Sequence, residues 1–147
     1  MIALALAAQL LATVPQVPNP ALTPGAVNPA ATKAMICVPG YTSQPGVRHV
    51  TAATKRAVYA AYGIDPKGPG APFEVDHLIS LELGGSNDPK NLWPQSYVSK
   101  PYNAHVKDAL EDRLHALVCK GQLDLVSAQR AISSAWIVSF RLYVKGQ

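Results

Sequence analysis

The residues best suited to chemistry crowd into one stretch, Glu74 to Pro94, which reads EVDHLISLELGGSNDPKNLWP. An acid and a histidine stand side by side at Asp76 and His77, a polar glycine turn follows, and Asn91 closes it. Asn103 and His105 come next along the chain. Hydrolysing a phosphodiester needs a base that activates water and a cation that neutralises charge on the phosphate and the leaving oxygen. Imidazole titrates near neutral pH, so His77 is the candidate base. A carboxylate beside it, Asp76, can hold a divalent metal, with a further N or O ligand supplied by another element. Neighbouring residues of a regular strand point to opposite faces. Asp76 and His77 therefore converge on one site only where the strand ends, as the following turn permits.

The surrounding elements must bring these groups together. Phe73 to Leu78 alternates apolar and polar residues at its start and reads as a strand. Gly84 to Asn91 is a turn by composition. LWPQ reads as a short returning strand that Pro94 ends. Upstream, TAATKRAVYAAYG predicts a short helix with Thr51 as N-cap and Gly63 beyond its C-terminus. A second helix starts near Pro101 or Asn103 and runs to about Cys119, with Val106, Leu110, Leu114 and Leu117 on one stripe. Lys107, Asp108, Glu111, Asp112 and Arg113 fall elsewhere on it. A third helix, capped by Asp124, runs to about Val144 and buries Leu125, Ala128, Ile132, Ala135 or Trp136, and Phe140. The fold class is α+β: a short hairpin with helices packed on it.

The Asp76-His77 pair at a strand end, the GGSNDPKN turn, and Asn91-Leu92 leading into the next strand resemble the HNH nucleases, the ββα-metal or His-Me finger group. The likeness to small secreted or phage-encoded HNH-like proteins extends further, from about Lys33 to Tyr143. It takes in Cys37-Val38-Pro39-Gly40-Tyr41 at the front and the NAHVKDALEDRLHALVC helix behind. The resemblance implies a ββα-metal finger with additional packing helices and a metal-dependent endonuclease. His77 is then the general base, Asp76 a metal ligand, and Asn91 the residue of the catalytic centre that steadies the loop and orients the base. One divalent ion (Mg²⁺, Mn²⁺ or Zn²⁺) and nucleic acid as partner, DNA more readily than RNA, are implied with them.

The third metal position departs from the usual pattern. It belongs to an Asn or His in the first turn of the helix, and both Asn103 and His105 are candidates. Two residues apart on a helix lie roughly 200° around it, so one of them faces the metal but hardly both. Imidazole is the better transition-metal ligand, whereas Asn103 is nearer the expected spacing. Ser80 stands where many relatives carry Pro. The cysteine pairs that fasten the finger in many family members are absent.

Other polar residues have plainer readings beside the functional ones. Glu74 shares a strand face with Asp76, as a second acidic ligand or a solvated carboxylate. Lys107, one helical turn after Asn103, is placed for a phosphate contact; Lys55, Arg56 and Arg48 are further phosphate contacts or a solvated basic face. His49 reads as a local cap or a solvated residue, His115 as surface or second-layer, and Trp93 and Trp136 as core.

Length and composition bound the rest. A chain of 147 residues accommodates one domain. Its 48% apolar and 15% charged residues exclude a disordered chain. The net charge of +4 arises wholly before Asp65, because the nine acids all lie from Asp65 onward. That asymmetry points to an anionic partner. Residues 1–14 form an apolar run that is shorter than the about 20 residues a membrane-spanning helix needs. It reads as a signal peptide or apolar leader, although no Lys or Arg precedes it; a buried helix is the alternative. Residues 15–32 are Pro-rich, an extended linker or a segment wrapped over the domain, and the nuclease-like domain occupies 33–147. Behind a leader, the two cysteines, Cys37 and Cys119, predict one disulfide and a secreted or periplasmic protein with no stable membrane insertion; in a cytoplasmic protein they are buried free thiols. The rival to a nuclease is a catalytically silent secreted metal-finger module that binds nucleic acid or a protein partner.

Overall fold

The computed structural model describes residues 14–146. The apolar run read as a leader falls, but for Val14, outside the described residues. Helix α1 (Lys33–Ile36) is a single turn capped by Thr32, and a 3₁₀ turn follows at Tyr41–Ser43. Helix α2 (Ala52–Tyr62) starts at Thr51, whose hydroxyl accepts from Thr54 N, and stops at Gly63 in the left-handed conformation. Strand β1 (Phe73–His77) and strand β2 (Leu92–Ser96) form a two-stranded antiparallel sheet in which Phe73 faces Ser96 and His77 faces Leu92. Helix α3 (Ala104–Cys119) and helix α4 (Leu125–Phe140), capped by Asn103 and Asp124, complete an α+β domain.

Pro94 lies inside β2, paired with Val75, rather than ending it. With two strands, each has a free edge, so a residue that lacks an N–H can sit where no ladder bond is required. Helix α4 also ends before Val144. The backbone at Ala135 leaves helical geometry (φ −162°, ψ 69°), and a π-helical turn continues over Arg141–Lys145.

The core gathers where α3 crosses α4. Leu110, Leu114 and Val118 pack with Ala128, Ile132, Trp136 and Phe140, and Ile36, Tyr41, Ile79 and Leu83 close it from the front. Among the described residues, no helix is long and apolar enough to cross a membrane.

The Pro-rich segment is wrapped over this domain as a strap. Trp136 Nε1 donates to the Gln16 carbonyl at 3.0 Å, the buried Thr23 hydroxyl donates to Leu92 O at 2.8 Å, and Gly25 N donates to Lys90 O at 2.9 Å. Farther along, Ser86 N donates to Ala26 O and Asn28 N to Gly84 O. Without a helix or sheet of its own, a proline-rich chain satisfies its backbone by bonding to loops. These bonds tie the segment to the domain from Gln16 onward.

Candidate functional site

The loop from Leu78 to Asn91 joins the two strands, and Asn91 holds it shut. Its side chain is fully buried and forms four bonds to backbone. Oδ1 accepts from Ile79 N at 2.9 Å and Ala26 N at 3.3 Å, while Nδ2 donates to Ile79 O at 3.0 Å and Ser86 O at 2.9 Å. The loop passes close to itself at Gly85, where a Cβ would stand 1.8 Å from Ile79 O, so only glycine fits. Asn91 therefore ties the loop to itself and to the Pro-rich segment at Ala26. No hydrogen bond joins its side chain to His77, and a different asparagine fills that place.

That asparagine is Asn87. His77 sits at the end of β1 with its Nε2 3.0 Å from Asn87 Oδ1. The same oxygen accepts from His49 N at 3.2 Å, and Asn87 Nδ2 donates to Val47 O at 2.9 Å. Two backbone partners thus fix which end of the amide is oxygen, and an oxygen requires His77 Nε2 to carry the proton. Nδ1 keeps the lone pair. His77 is only 5% exposed, yet Nδ1 is not among the described buried polar atoms left without a partner. Burial lowers the His77 pKa below its ordinary 6.5, and Arg48 and Lys107 push the same way against Asn87 and Asp76. At pH 7 the ring is neutral, with a base at Nδ1.

The Asn87 amide also ties down the backbone on both sides of Arg48, whose side chain lines a pocket with Glu82, Asp108, Glu111 and Asp112. Arg48 is exposed, and His77 feels its charge. On the other side of this segment, a cleft of about 560 Å³ runs along Gln44 to Val47 and Gly85 to Asp88. Lys55 and Arg56 are exposed on α2.

Around Asp76 the arrangement differs from the expected one. Lys107, read from the sequence as a surface phosphate contact, has no exposed surface. Its Nζ donates to Asp76 Oδ2 at 2.7 Å, to His77 O at 2.7 Å and to Glu111 Oε1. All three ammonium protons are spent on protein acceptors. Burial opposes the charge, but the two carboxylates outweigh it and hold the Lys107 pKa above its ordinary value. Burial raises the pKa of Glu111, with the ammonium pulling against it.

Asn103 is the N-cap of α3, with Oδ1 accepting from Val106 N and Nδ2 donating to Ser99 O. His105 lies on the surface, its side chain 70% exposed, with its ring on Tyr97 and its Nδ1 4.0 Å from Asp108 Oδ2. Glu74 is tied to Tyr97, whose hydroxyl donates to Glu74 Oε2 at 2.6 Å. The donors expected to hold a divalent ion at Asp76 do not fit one as they stand. An ammonium already occupies the cation seat at that carboxylate, the Asn103 amide is engaged in capping, and His105 faces solvent. Among the described residues, three metal-ligating side chains of the His, Cys, Asp and Glu types converge only at Cys37, His115 and Cys119. Those two cysteines form a disulfide with Cα atoms 5.6 Å apart.

Sequence reasoning missed Asn87 as the partner of His77 and the buried role of Lys107 with Glu111. One signal for the last was present. Lys107 precedes Leu110 by three residues and Leu114 by seven, so it lies on the apolar stripe, with Glu111 one turn on to neutralise it. No family model matches this chain, and no curated protein or solved structure is significantly similar to it.

Proposed function

We propose that this domain cleaves phosphodiester bonds in nucleic acid with His77 as the general base. The observation that carries the reading is the Asn87 clamp, which fixes the His77 tautomer and ties down the backbone on both sides of Arg48. The base and the backbone that carries a candidate phosphate contact then share one support. The order β1, loop, β2, α3 supports a nuclease finger of the ββα kind, with the Lys107 ammonium standing at Asp76 where the finger's metal is expected.

Of the two polymers, RNA asks less of such a site. Its 2′-hydroxyl gives its proton to His77 Nδ1, the 2′-oxygen bonds to phosphorus, and the P–O5′ bond breaks. The leaving oxygen takes a proton from solvent, and Arg48 offsets charge on the phosphoryl oxygens. DNA lacks that internal nucleophile, so its hydrolysis leans more on a cation at the leaving oxygen. Lys55 and Arg56, exposed on α2, are further candidate phosphate contacts. The Cys37–Cys119 disulfide supports a secreted or periplasmic setting.

The second reading is a silent module that binds nucleic acid or a protein, and the saturated Lys107 contacts favour it. Cleavage of RNA and plasmid DNA by the full chain, with EDTA or with Mg²⁺, Mn²⁺ or Zn²⁺, separates the two. Cutting lost in His77→Ala supports the nuclease; nucleic-acid binding with no cutting in any condition supports the module.

A further inference from the structure

The disulfide has a third partner. His115 lies one turn before Cys119 on α3, and its Nε2 is 3.4 Å from Cys119 Sγ and 2.9 Å from the Ile36 carbonyl. The ligand atoms of Cys37, His115 and Cys119 all lie within 4.8 Å of one another. In a tetrahedral zinc site, Zn–S of about 2.3 Å and Zn–N of about 2.0–2.1 Å place nitrogen and sulfur about 3.6 Å apart. The His115 to Cys119 separation already matches that edge. Cys37 and His115 also line a cavity of about 260 Å³, together with Glu82, whose Oε1 is buried with no hydrogen-bond partner among the described residues.

The geometry points to a redox-gated metal site at Cys37, His115 and Cys119, closed as a disulfide when oxidised and open to Zn²⁺ when reduced. A dithiol reduces the S–S bond by supplying two electrons and two protons, and leaves as its own disulfide. Zn²⁺ then displaces both thiol protons to solvent and binds two thiolates. Ligation through His115 Nε2 moves the ring proton to Nδ1 and gives up the bond to Ile36 O. Two thiolates and an imidazole suit Zn²⁺ over Mg²⁺ or Ca²⁺. Three protein ligands leave a fourth position for water, with the unpartnered Glu82 oxygen in the same cavity. Either state ties the front of the domain to the end of α3. The site is separate from His77, and its test does not depend on nuclease activity.

Titration of the full-length chain with Co²⁺ reads the site directly through thiolate-to-cobalt absorption. After reduction by a phosphine, which becomes the phosphine oxide, one Co²⁺ per chain should bind with a two-thiolate spectrum that Zn²⁺ abolishes. The oxidised chain should give no such band. Reduced His115→Ala should bind at least the roughly tenfold more weakly that loss of even an outer-shell partner costs. Absence of the band in the reduced wild type overturns the proposal, as does unchanged affinity in His115→Ala. Far-UV circular dichroism covers the case in which reduction unfolds the chain. Recovery of helix on adding Zn²⁺ supports the site, and failure to recover overturns it.

Discussion

At the scale of single residues, the centre of the domain is organised by two polar side chains that the protein surrounds completely, Asn91 in the loop and Lys107 on α3. Lys107 brings a positive charge into the core and is neutralised there by Asp76 and Glu111, while its third proton fixes the carbonyl of the proposed base. A buried pair adds little over a well-packed apolar substitute, but breaking it leaves charges stranded. Lys107→Met should therefore cost about 3–5 kcal/mol in urea unfolding. Adding Asp76→Asn and Glu111→Gln should recover part of that loss, because no carboxylate is then left unpaired. No recovery would mean that Lys107 acts through packing alone. The chemistry-bearing pair Asp76-His77 and the loop asparagine Asn91 were legible as residue types at a telling spacing. The partner of His77 was not, since the GGSNDPKN turn contains two asparagines. Only the folded loop determines that Asn87 reaches the ring while Asn91 serves the backbone.

At the scale of elements, the caps and periodicities were legible where local physics decides. Thr51, Gly63 and Asp124 bound their helices as their side chains and φ preferences dictate. Local rules failed where tertiary contacts take over. Pro94 continues β2 because the strand has a free edge, and α4 leaves helical geometry at Ala135 beside the residue that bonds Gln16. The Pro-rich strap is the clearest case: composition reads as an extended linker or a wrapped segment, and only the fold supplies its bonds to Trp136, Leu92 and Lys90. A chain begun at Lys33 exposes those partners and Thr23's site. Its urea midpoint should fall clearly below that of a chain begun at residue 14. Equal midpoints would show that the strap is dispensable.

For the whole molecule, the asymmetry of charge along the sequence does not carry over to a separate cationic face, because Arg48 lines a pocket with Glu82, Asp108, Glu111 and Asp112. The exposed Arg48, Lys55 and Arg56 precede every acid in the sequence. Burial raises the pKa values of Glu74, Glu82, Asp108 and Glu111. The base itself leaves a signature in global stability. Because the folded pKa of His77 lies below 6.5, the unfolded chain binds more protons between the folded value and 6.5. The stability linked to neutral His77 is therefore full above pH 6.5 and is lost as pH falls through the folded value. Urea midpoints of wild type and His77→Gln across this range should show the wild type losing ground to the variant as pH drops. Parallel curves would contradict a buried, neutral base.

The most direct test of His77 as a phosphodiester base is strand cleavage by the full chain, wild type beside His77→Ala, on RNA and plasmid DNA in EDTA. The arrangement around Lys107 and Asn87 predicts RNA scission that survives chelation and disappears in His77→Ala. Cleavage that His77→Ala leaves intact, or no cleavage of either polymer with or without added metal, would contradict it.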